Sequence, residues 1–166
     1  MTAGRRAAGA GAAAVCGVLV VAACGTGPQA GSQPTAPVPR AVLATRYLAI
    51  ARPANKRLDR DFDRLEDASH DDLHAAAADL RDAARTELKF DRQLLRLSLP
   101  PAEEAIARLM VIANESRARL SDRAAASASL AALHRYLPLL TAANAPVEDA
   151  VRVIRAELGL PPPQTS

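Results

Sequence analysis

Toward the end of the chain, Leu130, Leu133, Leu137, Leu140, Asn144, Val147, Val151, Ile154 and Leu158 alternate steps of three and four residues without a slip. An α-helix, at about 3.6 residues per turn, gathers such a series on one face, whereas a strand would divide it between two. The series crosses Pro138 and Pro146. Inside an exposed helix each proline removes a hydrogen bond at a cost of about 3 kcal/mol. The expected element is therefore one long kinked helix, with a break near Asn144-Ala145-Pro146 as the alternative. Gly159 and Pro161-Pro162-Pro163 stop it.

The same spacing recurs from Ala41 onward, with no strand-like alternation of useful length. The first segment aligns Tyr47, Ala51, Ala54, Leu58, Asp61, Leu65 and Ala68, flanked by Leu43, Ile50 and Phe62. Pro53 falls inside this run without breaking its phase, so a kinked helix is expected. Ser69 is placed to cap the next helix, with Asp72 at the reciprocal position. The seam of that helix runs through Leu73, Ala77, Leu80, Ala84 and Glu87, then Phe90 or Asp91, then Leu94. Pro100 and Pro101 open a third helix with a stripe of Ile106, Leu109, Ala113, Ser116 and Leu120. With two Tyr, two Phe and no Trp, the core is thin and alanine-seamed. The fold expected over 40–159 is all-α: an antiparallel four-helix, up-down-up-down bundle with kinked first and last helices, about 40 Å tall. A fan of helices that closes only against a partner is the alternative.

Ahead of the bundle, MTAGRRAAGAGAAAVCGVLVVAACGTG has an arginine pair, an apolar run and a cysteine, the pattern of an export signal. Val21-Ala22-Ala23-Cys24 resembles the lipobox of bacterial lipoproteins, in which a peptidase cuts before a cysteine carrying diacylglycerol. Cys16 follows a bulky valine and would split the apolar run, so Cys24 is the expected lipidation site. An ordinary signal peptide or an uncleaved anchor are the alternatives. Residues 1–23 then form the signal peptide, and 24–39 the lipidated cysteine with an uncharged Gly- and Pro-rich tether. Residues 160–166 are a Pro-rich tail. Acyl chains at Cys24 place the protein on the extracytoplasmic face of a cell membrane, each buried methylene contributing about 0.8 kcal/mol. They also leave the mature chain without a free thiol. Arg5-Arg6 keeps both the general and the twin-arginine export routes open.

The whole chain carries 21 basic and 18 acidic residues; without Arg5 and Arg6 the balance is 19 to 18. So even a balance argues against a nucleic-acid partner.

The densest cluster of chemistry-bearing residues is RLDRDFDRLEDASHDDLH, from Arg57 to His74. Asp59, Asp61 and Asp63 imitate the start of a calcium loop, but Arg64 stands where the turn glycine belongs and His70 where the bidentate Glu belongs. On a helix these carboxylates point different ways, with Asp61 near Arg57 and Arg64. His70 and His74 lie four apart, as in H-E-x-x-H zinc enzymes, and are the candidate metal ligands. Asp71 replaces the catalytic Glu, and Asp63, Glu66 or Asp67 would have to supply a third ligand. Ser69, Asp71 and Asp72 also make sense as ordinary helix-start residues. A second cluster is expected within the bundle, where Glu87, Ser116, His134 and Asn144 fall at similar heights if loops are short. This cluster is either a polar pocket or a layer that fixes register. The chain has no G-x-S-x-G elbow and no phosphate-cradling glycine loop.

The segments YLAIARPANKRLDRDFDRLED, ADLRDAARTELKFDRQLL and VEDAVRVIRAELGLPPP resemble those of small lipoproteins from high-GC actinobacteria. That resemblance implies a lipid-anchored envelope protein and no particular activity. The expected function is non-enzymatic: a helical binding module with an envelope protein partner and no cofactor beyond the covalent lipid on Cys24. Binding of a divalent metal or small ligand is the alternative.

Overall fold

The structure, a computed structural model, describes residues 38–163. The expected signal peptide, Cys24, nearly all of the tether and the last residues of the tail lie outside that range.

Five helices account for most of the described chain: α1 (Arg40–Glu66), α2 (Leu73–Leu94), α3 (Pro101–Ala125), α4 (Leu130–His134) and α5 (Leu137–Glu157). Among the described residues there is no strand, and no helix is long and apolar enough to cross a membrane. The molecule is an all-α bundle in which α1 packs on α2, α2 on α3 and α3 on α5. Contacts between early and late positions of neighbouring helices show the up-down-up-down order. Tyr47 meets Phe90 edge-on, Leu94 shares one apolar cluster with Ala107 and Ile154, and Ala76 shares the other with Ala124 and Leu140.

α1 runs unbroken through Pro53 and buries Leu43, Tyr47, Ala51, Asp61 and Leu65, the face that its spacing defines. α2, wedged between α1 and α3, buries a broader face that takes in both Phe90 and Asp91. Its start differs from expectation. Ser69 is not the cap. Asp72 takes that place, its Oδ1 accepting from the backbone N–H of His74 and Ala75. A carboxylate at the positive helix end satisfies two otherwise orphaned donors and holds the Asp72 pKa below its usual value. Ser69 is instead buried in the preceding turn and donates to Asp79 Oδ2 at 2.7 Å.

α3 is turned about one position from the expected stripe. Ala107, Met110, Asn114, Ala118 and Ser121 face inward, while Leu109 is 65% exposed and Ser116 is exposed, bonded to Ile112 O of its own helix. The last segment is not one helix. It breaks at Arg135-Tyr136, so that Pro138 lies in the first turn of α5, where its missing N–H needs no partner. Pro146 stays inside a continuous α5, and the alternative break near Asn144 does not form. Gly159, at φ 68°, ends α5, with Leu160 N–H donating back to Arg155 O at 2.8 Å.

Two apolar clusters result. One joins Leu43, Tyr47, Phe90, Leu94, Met110, Ile154 and Leu158; the other joins Leu65, Ala76, Leu80, Ala124, Leu133 and Leu140. Burial of each large side chain contributes about 1.5–3 kcal/mol. Between the two clusters lies a waist of polar side chains.

Candidate functional site

The waist is built on helix spacing. Glu87 and Asp91 are one turn apart on α2, and Asn114 and Arg117 one turn apart on α3, so each pair projects from a single face toward the other. Arg117 Nη2 lies 2.6 Å from Glu87 Oε1, and Arg117 Nη1 donates to Asn144 Oδ1 at 2.7 Å. Asn114 Nδ2 donates to Asp91 Oδ1, also at 2.7 Å. Glu87 is 1% exposed and Asp91 3%. The Arg117–Glu87 contact is close, but no N–H is aligned on either Glu87 oxygen, so both oxygens, with Asp91 Oδ2 and Asn114 Oδ1, lack a directed donor within the protein.

Burial pushes the Glu87 carboxyl up to about 7, against the opposing pull of Arg117. Burial likewise pushes Asp91 up to about 6, against the bond from Asn114. In both cases loss of hydration outweighs pairing.

Above this waist, α1 and α5 diverge. At one end they share the first apolar cluster, where a side-chain atom of Arg40 comes within 3.8 Å of the place a Cβ on Gly159 would take. Toward the other end a cleft of about 1100 Å³ opens between them. Leu58 and Phe62 from α1 and Leu140 and Val147 from α5 line it, with Arg117 and Asn144 from the waist and His70 and His134. Asp59, Asp63 and Glu66 line the α1 wall, with Glu148 and Arg152 opposite. A smaller cavity of about 80 Å³ continues inward beside Glu87, Asn114 and Arg117.

Of the residues singled out from the sequence, Glu87 and Asn144 meet through Arg117, as a polar cluster requires. Ser116 faces solvent and does not join them. His134 lies elsewhere, at the end of α4, its ring centroid 5.1 Å from that of His70. His70 and His74 do not share a helix face, because α2 begins at Leu73 and leaves His70 in the turn. Among the described residues no three His, Cys, Asp or Glu side chains gather to hold a metal ion. Asp61 is buried and paired with Arg64 at 2.8 Å and Arg57 at 4.0 Å.

Arg117 and Asn114 are the participants that sequence reasoning missed, and Asp91, placed on the α2 seam as the alternative to Phe90, was not assigned to the cluster. Their signal was the one-turn spacing of Asn114 and Arg117, visible only if the Met110 stripe of α3, rather than the Leu109 stripe, is turned inward. No protein-family model matches the chain, and no curated protein or solved structure matches it.

Proposed function

We propose that this protein is a lipid-anchored, non-enzymatic binding module on the extracytoplasmic face of a cell membrane, whose partner occupies the cleft between α1 and α5. The observation that carries this reading is the cleft itself, about 1100 Å³ of space lined by both apolar and acidic side chains in a bundle whose other helices pack side by side. A basic amphipathic helix from an envelope protein suits it, with apolar side chains on Leu58, Phe62 and Leu140 and cationic ones against Asp59, Asp63 and Glu66. Beneath it Arg117 lies against Glu87 and donates to Asn144, and Asn114 holds Asp91. The lipobox-like Val21-Ala22-Ala23-Cys24 supports the anchor.

Photo-crosslinking in intact cells tests the reading. A photoreactive residue at Thr141, in the cleft, should trap a discrete partner, and one at Leu109, on the outer face of α3, should not. The Thr141 adduct should disappear when Asp59 and Asp63 are both changed to Lys. Equal labelling from both positions, or an adduct indifferent to the charge reversal, would rule the cleft out. Cys24→Ser should release the protein from the membrane fraction; continued retention would remove the lipid anchor from the proposal.

A further inference from the structure

We propose that His70 and His134 together form a binding site for a divalent transition-metal ion, with Zn²⁺ as the representative, at the open end of the bundle. Both side chains line the cleft between α1 and α5, so an ion bound there would adjoin a partner in that cleft. Two imidazoles that coordinate one tetrahedral ion through nitrogens at about 2.0–2.1 Å have ring centres about 5 Å apart. The His70 and His134 centroids are 5.1 Å apart, with ring planes inclined by 31°. That separation matches the spacing of two imidazoles that share one ion.

The tautomer of His70 is set in the way a ligand requires. Its Nδ1 is 2.9 Å from Asp71 Oδ1. An ionised carboxylate only accepts, so in the neutral ring this contact favours a proton on Nδ1 and leaves the Nε2 lone pair for an ion. A carboxylate behind the ring also orients it, the usual outer-shell arrangement of metal-bound histidine.

Both histidines are carried by anchored backbone. Next to His70, Ser69 is held by its N–H to Arg64 O at 2.7 Å and by its hydroxyl to Asp79 at 2.7 Å. Next to His134, Leu133 is fully buried, and α4 is capped by Ser129. Asp63 and Glu66 line the same end of the cleft and add negative charge. Because no three ligating side chains converge among the described residues, the protein supplies two ligands and water completes the shell. Imidazole pairs of this kind suit Zn²⁺, Cu²⁺ and Ni²⁺ rather than Ca²⁺ or Mg²⁺. An ion held here ties the α1–α2 turn to α4 across the mouth of the bundle.

The chain has three histidines, so His74, in the first turn of α2, serves as an internal control. The test is a Zn²⁺ titration of the full chain in mild detergent, with Cys16→Ser and Cys24→Ser removing competing thiols, followed by the imidazole signals in ¹⁵N-¹H NMR and by calorimetry. The His70 and His134 signals should move together and saturate at one ion per chain while His74 stays in place. His134→Gln should weaken Zn²⁺ binding at least ten-fold, Asp71→Asn about ten-fold, and His74→Gln not at all. The absence of saturable binding, an unmoved His134 signal, or equal losses from His74→Gln and His134→Gln would each overturn the proposal. The spectra of the chain that keeps all three histidines decide the matter even if a histidine substitution disturbs folding.

Discussion

Replacing Glu87 with Gln should change the pH dependence of stability. Glu87 is 1% exposed, and its carboxyl is pushed up from 4.5 to about 7, chiefly by burial, with Arg117 opposing. A carboxyl whose pKa is raised on folding keeps its proton in the fold after the unfolded chain has released it. Its contribution is complete below about pH 4.5 and is lost as pH climbs to about 7, beyond which the loss is constant. At about 1.4 kcal/mol per pH unit, the interval from 4.5 to about 7 amounts to about 3 kcal/mol. Glutamine imitates the protonated form and has no proton to lose. Asp91, raised to about 6, destabilises both proteins over an overlapping range, so the informative quantity is the difference between variant and wild type.

Urea unfolding followed by circular dichroism between pH 4.5 and 8 supplies that quantity. Relative to wild type, Glu87→Gln should gain about 3 kcal/mol across the interval, with most of the change between pH 5 and 7. If the two profiles stay parallel to within about 0.5 kcal/mol, the carboxyl is already ionised in the fold, and pairing with Arg117 rather than loss of hydration governs it.

Two further substitutions check the packing. Met110 is 4% exposed and Leu109 65%, so Met110→Ala should cost about 2–4 kcal/mol and Leu109→Ala under about 0.5 kcal/mol by the same urea assay; a reversed order would mean that α3 is turned the other way. Pro146 lies within α5 and Pro138 in its first turn, so Pro146→Ala should stabilise the protein by about 1–3 kcal/mol while Pro138→Ala leaves it nearly unchanged. Equal effects on the melting temperature would contradict the placement of the helix start at Leu137.

The all-helical class and the inward faces of α1 and α2 were legible because Tyr47, Leu65, Leu80 and Leu94 stand at helical spacing with few apolar competitors. α3 was not. Its sequence offers two overlapping stripes, Ile106-Leu109-Ala113 and Ala107-Met110-Asn114, and the larger apolar residues lie on the wrong one. The inward stripe is chosen by partners remote in sequence, since Asn114 must reach Asp91 and Arg117 must reach Glu87. The break at Arg135-Tyr136 was hidden for a related reason. Leu133, Leu137 and Leu140 keep helical spacing across it, so periodicity alone cannot reveal that α4 and α5 are separate. The His70–His134 pair depends on that break and on the turn before α2, neither of which local spacing reports.

The buried polar waist and the open cleft have a common cause. Seams made largely of alanine are smooth, and with two Phe and two Tyr in the whole chain few large knobs stop one helix sliding along another. Buried polar contacts supply the missing register, as a buried Asn does in a coiled coil. Asp91–Asn114 and Glu87–Arg117 set α2 against α3, and Arg117–Asn144 sets α3 against α5. α1 is registered separately, by Arg64–Asp79 and Arg57–Asp82 onto α2. Among the described residues no hydrogen bond or ion pair joins α1 to α5. The first and last helices are thus each tied by polar contacts to an inner neighbour, and to one another only by apolar packing at one end. That unregistered pair is where the bundle parts, which puts the cleft directly over the side chains whose hydration was given up to align the rest.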